Sequence, residues 1–247
     1  MANMPCNHFL WRSLLACCLL MAGVTRAELP KPFEATYEAR YGSLSITATR
    51  TLRELENGGQ ELRFAARSWL ARIEEVSQFN WNREGHLVPE RYSYSRTGLG
   101  RDREAHLDFD WQKLTVVNNV QKRPWSMSIP PQAMDKLSYQ LQLRHDLLNR
   151  HTRENDPELS YAIADGGRLK TYRFEVLGEE QLQTAVGRLN VVKVRKVREG
   201  SKRVTLLWLA RDWDHLVVRI QQTEKDGKHY EINLASASLN GIPVTGL

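Results

Sequence analysis

The feature that most constrains this chain is an alternation of apolar and polar residues, broken by turn signals, that runs from Phe33 almost to the end. "FEATYEARY" puts Phe33, Ala35, Tyr37, Ala39 and Tyr41 on one side, and Glu34, Glu38 and Arg40 on the other. That is the two-residue period of a strand. "EAHLDFDW" repeats it, with Leu107, Phe109 and Trp111 set against His106, Asp108 and Asp110. Asn57-Gly58-Gly59, Arg83-Glu84-Gly85, Asp165-Gly166-Gly167 and Asp226-Gly227 supply turns between such segments. Strands recurring at roughly 8–12 residues predict a mainly β fold, an antiparallel curved sheet closing into a barrel or half-barrel. Pro89 in "HLVPERYSYSR" predicts an edge strand or a bulge, because proline donates nothing to a ladder. "ELRFAARSWLARIEEVSQFNW" reads as one bent strand or two.

One strand departs from simple alternation. In "RVTLLWLA", Val204, Leu206 and Trp208 share one face, and Leu207 and Leu209 share the other. Both faces need cover. The segment that breaks the strand period is "KLSYQLQLRHDLLNR", Lys136 to Arg150. Pro130-Pro131 ends the strand before it, and Asp135 is placed to cap a helix. Leu137, Leu141 and Leu148 fall on one stripe of that helix, and Leu143 and Leu147 on a second, nearly opposite. The expectation is one principal helix, about 136–150, packed on or into the sheet as the second layer over the two-faced strand. An apolar cavity between the two layers would make Leu137, Leu141, Leu206 and Trp208 the candidate ligand-binding residues.

The N-terminus reads as a targeting segment. An apolar run from Leu14 to Val24 follows Arg12 and ends at Thr25-Arg26-Ala27, the layout of a secretory signal peptide cleaved after Ala27. The run is shorter than the roughly 20 apolar residues of a membrane-spanning helix. Cys17 in "LLAC" offers a lipid-anchor alternative, but too few apolar residues separate it from Arg12 to make a full hydrophobic region. The expected organisation is a leader over residues 1–27 and a single all-β domain over 28–247, in the periplasm. Cys6, Cys17 and Cys18 all precede the cleavage site, so the mature chain would carry no disulfide, thiol nucleophile or thiolate metal site. Losing Arg12 and Arg26 takes two from the +6 of the whole chain and leaves +4. That is an ordinary soluble surface and argues against a nucleic-acid partner.

Motifs that carry chemistry are scarce. The histidines at 86, 106, 145, 151, 215 and 229 give no ligand pair at helical or strand spacing, so no metal and no cofactor is expected. The chain lacks G-x-S-x-G, S-x-x-K and phosphate-loop patterns. Asp212, Asp214 and His215 in "RDWDH" read first as a tight turn. Asp108 and Asp110 read first as the wet side of a strand. Carboxylate pairs from these four acids keep a glycan hydrolase open as an alternative. Lys193, Arg195, Lys196, Arg198, Lys202 and Arg203 gather round one hairpin and read as a charged edge that resists aggregation. The tryptophans at 69, 81, 111, 125, 208 and 213 read mainly as core.

Three stretches resemble the DUF3108 family of exported bacterial proteins of unknown function. They are "MDKLSYQLQLR", "AVGRLNVVKVRKV" and "LLWLARDWDHLVVRIQQTEKDG". Lys136 and Val217 stand where the family pattern has proline. The resemblance implies the fold and an exported location, and brings no catalytic residues with it. Three function classes stay open. The first is a non-enzymatic binding, carrier or chaperone-like module for a lipid, acyl chain or peptide. The second is a hydrolase of envelope glycans, and the third a structural partner of another envelope protein.

Overall fold

A computed structural model describes residues 27–41, 44–98, 100–150, 158–197 and 202–247. The expected leader up to Arg26, with all three cysteines, lies outside the described residues, as do His151, Arg198 and the Glu199-Gly200-Ser201 turn. The first eight strands are β1 (Phe33–Tyr41), β2 (Leu44–Glu54), β3 (Gln60–Arg67), β4 (Ala71–Trp81), β5 (Leu87–Gly98), β6 (Arg103–Asp110), β7 (Thr115–Val120) and β8 (Arg123–Ser128). The short β9 (Met134–Asp135) leads into α1 (Ser138–Leu148). Then come β10 (Leu159–Asp165), β11 (Arg168–Thr184), β12 (Gly187–Val197), β13 (Val204–Ala210), β14 (Leu216–Thr223), β15 (His229–Leu239) and β16 (Ile242–Pro243).

All of these strands belong to one sheet. Its order is β8 to β1, then β15 down to β9, with β16 beside β15. Neighbours are antiparallel, except that β9 runs parallel to β10 at Ile163 and Ala164. The first and last long strands thus meet in the middle, and the ends of the sheet are β8 and β9–β10. Among the described residues no ladder joins those ends. The barrel is open along one seam.

Local sequence explains the irregularities. Phe79 pairs with Pro89 and Gln78 with Arg91, so Glu90 is the extra residue of a bulge beside the proline. The "ELRFAARSWLARIEEVSQFNW" segment is two strands, folded back at Ser68, whose hydroxyl accepts from Leu70 and Ala71 N–H. The long β11 passes through Gly178 with a bulge there rather than breaking.

The helix is shorter than the sequence pattern indicates. Lys136 and Leu137 form the turn that precedes it, and Asn149 ends it. Asp135 Oδ1 accepts N–H bonds from Leu137 (2.7 Å) and Ser138 (2.8 Å), and its Oδ2 accepts the Ser77 hydroxyl from β4 (2.6 Å). Capping and anchoring therefore use one carboxylate.

Of the two placements expected for α1, on the sheet or into it, the structure has the second. The helix is not a layer on the outside of the sheet; the sheet curls around it. Leu137 and Leu141 pack in one cluster with Phe33, Leu52, Leu62, Phe79, Leu87 and Leu107 of the first half of the sheet. Leu143 and Leu147 pack with Leu159, Ile163, Val192, Val194, Leu207 and Leu209 of the second half. Two opposite apolar stripes are what a helix needs when it is covered on both sides. Each buried leucine contributes about 1.5–3 kcal/mol.

β13 is likewise covered twice. Leu207 and Leu209 face the helix. Trp208 faces away, in register with Lys193 and Arg219, whose cations lie 5.0 and 5.8 Å from its ring. Its cover comes from the curled β11–β12 hairpin and the C-terminal tail. Gly246 N–H donates to Val186 O, Leu247 and Arg188 exchange backbone bonds, and Val244 is buried in the same cluster as Trp208, Leu182 and Leu189.

Candidate functional site

Hydrogen-bond register brings two rows of side chains to the open seam. Tyr92, Leu107, Asn118 and Trp125 stand abreast across β5 to β8. Tyr94, Ala105, Val120 and Arg123 form the next row toward the loops. Across the gap stand Lys136, just before α1, and Ala164, Asp165 and Gly166 at the end of β10. Between them lies a cleft of about 730 Å³, within the range of small-ligand and peptide sites.

Two tight turns shape the mouth. Gln121 and Lys122 both take left-handed backbone, φ 53° and 61°, and close the β7–β8 hairpin in two residues. Gly166 and Gly167 do the same between β10 and β11, with φ 59° and 78°. The Trp125 indole lies so close to Gly167 that no side chain fits there. That contact brings the two ends of the sheet together without a ladder.

The cleft is lined by cations and aromatic rings. Arg101, Arg103, Arg123 and Lys136 contribute positive charge, and Lys136 Nζ sits 5.1 Å from the centre of the Tyr94 ring. Three acids also line the cleft: Asp165 is paired with Lys170, Asp102 accepts the Gly98 N–H, and Glu104 stands next to Arg103 on β6. Burial, and then the Glu75 carboxylate that accepts its hydroxyl, push Tyr92 well above the usual tyrosine range. Tyr92 is therefore a fixed donor rather than a base.

The edge strand adds a further element. A two-residue hairpin makes Val120 and Arg123 a hydrogen-bonded pair, and the pairs alternate from there. Pro124, Ser126 and Ser128 therefore turn their backbone groups away from β7, toward the seam. Pro124 sits where its missing N–H costs β7 nothing.

The sequence-derived candidates are not brought together at this cleft. Leu137, in the turn before α1, and Leu141, within it, are core residues, 1% exposed each. Leu206 and Trp208 lie on the face of β13 turned away from the helix, and the Trp208 Nε1 donates to Glu180. Asp108 is exposed beside Arg91, and hydrogen bonds from Lys113 hold the Asp110 carboxyl below the usual range. Asp212 accepts from Asn190. Asp214 is buried, accepting the Lys31 N–H at 3.1 Å. None of the four lines the cleft.

Of the described members of the basic run, three are held in ion pairs on β12 or just before β13. Lys193 meets Glu180, Arg195 meets Glu175 and Arg203 meets Glu224. Trp69 is 84% exposed at the β3–β4 turn, whereas Trp81, Trp111 and Trp213 pack against the core. Among the described residues no group of three His, Cys, Asp or Glu could hold a metal, and no helix is long and apolar enough to cross a membrane. The sequence signal for the cleft is the proline of "QKRPWSMSI", which marks β8 as an edge just as Pro89 marks a bulge.

A family model described as "Protein of unknown function (DUF3108)" matches residues 36–234. No curated protein matches the chain. Among solved structures, a β-barrel-like protein of the domain of unknown function DUF1849 from Brucella abortus superposes with a TM-score of 0.54. It shares 8% identity, over 85% of this chain and 98% of that one. The MucA/MucB complex of Pseudomonas aeruginosa gives a TM-score of 0.36 and 12% identity, over 87% of this chain and 53% of that one.

Proposed function

The chain belongs to the DUF3108 family of proteins of unknown function, and we propose that it works as a non-enzymatic binding module of the cell envelope, taking an extended acidic peptide segment into the open seam. The observation that carries this reading is the free edge of β8 bordering a cationic cleft. A row of outward backbone groups is satisfied best by another backbone, and strand addition is a recurrent way of capturing peptides. Arg101, Arg103, Arg123 and Lys136 favour acidic side chains, and Trp125 and Tyr94 favour apolar ones on the alternate face.

The interior is a poor host for an acyl chain. Helix α1 occupies it, and the space between Leu141, Phe33 and Leu62 is about 10 Å³, room for roughly one water. Export through residues 1–27 and a single domain over 28–247 complete the proposal.

The test is titration of the purified protein with a capped seven-residue peptide alternating valine and glutamate. Binding with a midpoint on the order of 10 μM is expected. It should be lost for the valine–lysine counterpart and for a version N-methylated on alternate residues, which cannot pair as a strand. Equal binding of the N-methylated peptide, or displacement by dodecanoate, would refute strand addition.

A further inference from the structure

A second feature lies inside the barrel, remote from the seam. Arg144, on the face of α1 turned toward β1 and β14, is 3% exposed. Its Nε donates to Asp214 O at 3.0 Å, and its guanidinium lies 4.5 Å from the centre of the Phe33 ring. Both terminal nitrogens, Nη1 and Nη2, are buried without a hydrogen-bond partner. The nearby Asp214 carboxylate does not supply one; it is taken up by Lys31, through the N–H at 3.1 Å and Nζ at 3.5 Å.

A second guanidinium makes the imbalance worse. Arg50 lies 5.9 Å from the Tyr37 ring and 5.4 Å from the Phe64 ring, on the inner face of β2. Arg50 and Arg144 line the same small space with Tyr37, Gln140 and Leu141. The Tyr37 hydroxyl donates to Val217 O at 2.9 Å, and burial raises its pKa, so it brings no negative charge. Burial pulls Arg144 down to about 10, which leaves it charged at neutral pH. A buried guanidinium whose two terminal nitrogens lack hydrogen-bond partners, beside a second, partly buried guanidinium, is an arrangement that proteins avoid, because buried donors left unpaired are costly.

We infer that the space between Arg50 and Arg144 is a binding site for a small monoatomic anion, chloride in the protein's ordinary surroundings. Its volume, about 10 Å³, suits one particle near the size of a water or a halide. The Arg144 Nη groups supply the donors. The anion would tie α1 to β2 and lock the plug in the barrel.

Two measurements on the purified protein test this. The first is thermal unfolding in sodium chloride and in sodium gluconate at equal ionic strength. A midpoint about 2–4 °C higher in chloride is expected, since a ligand of the native state alone raises stability by mass action. The Arg50→Met variant should lose that difference. Equal midpoints for the unsubstituted protein would overturn the inference. The second is diffraction from crystals grown in sodium bromide at the bromine edge. An anomalous peak within hydrogen-bond distance of Arg144 Nη supports the site, and a water there without anomalous signal refutes it. Neither result depends on peptide binding at the seam.

Discussion

The indole of Trp125 packs directly against Gly167, so the two ends of an unclosed sheet touch through one side chain and one bare backbone. Gly166 beside it is also left-handed, with φ 59°, but a Cβ there would meet nothing within 4 Å. The pair separates backbone strain from crowding. Gly166→Ala should cost only the left-handed penalty, about 1–2 kcal/mol. Gly167→Ala should add the cost of displacing Trp125, about 1–3 kcal/mol more. In a Trp125→Ala background the two substitutions should cost the same, as read from urea unfolding. Equal costs in the unsubstituted background would show that the tryptophan does not hold the seam.

Two buried carboxylates should give opposite pH dependence. Burial raises the Asp135 pKa despite hydrogen bonds from Ser77, Ser138 and Leu137. The native state therefore binds its proton more tightly than the unfolded chain. The stability this group contributes is largest below the ordinary aspartate range and falls as pH rises through it to the native pKa. Burial works against the Glu61 carboxylate too, but hydrogen bonds from Gln78 and Arg53 outweigh it and hold its pKa low. Its contribution is present above the ordinary glutamate range and is lost as pH falls through the native value. Measured from pH 3 to 7, the unsubstituted protein should lose stability relative to Asp135→Asn as pH rises and gain it relative to Glu61→Gln. Asp135→Ala, which also removes the cap, should cost about 1 kcal/mol more than Asp135→Asn.

The stretch after the expected cleavage site is fastened to the end of α1. Asn149 accepts the Glu28 N–H at 2.9 Å, and its amide donates to Glu28 O at 2.8 Å and to His145 O at 2.9 Å. Asn149→Ala should release this arm, speeding amide exchange at Glu28 and Lys31 at least tenfold and costing about 1–2 kcal/mol. Unchanged exchange at both amides would mean the arm is held elsewhere.

Much of this fold is written locally. Asn57-Gly58-Gly59, Asp165-Gly166-Gly167 and Asp226-Gly227 mark hairpins because left-handed backbone favours glycine. Pro89 marks a bulge because it lacks a donor, and Asp135 marks the helix start because its carboxylate can accept backbone N–H groups. Location is not written locally. Two opposite leucine stripes say that α1 is covered twice, but not that a single sheet curls round it. Leu206 and Trp208 are adjacent in pattern to Leu207 and Leu209, yet what covers Trp208 is a hairpin and a tail that arrive from distant sequence. The seam is the least local feature, because it depends on which two strands end the sheet, and only Pro124 marks one of them.

The most direct test of peptide capture at the seam is amide hydrogen exchange at Ser126 and Ser128 with and without the valine–glutamate peptide. Slowing of both amides by tenfold or more, with no change at Val117 and Asn119 on β7, is the predicted result. Saturating peptide that leaves Ser126 and Ser128 exchanging at their free rates would contradict it.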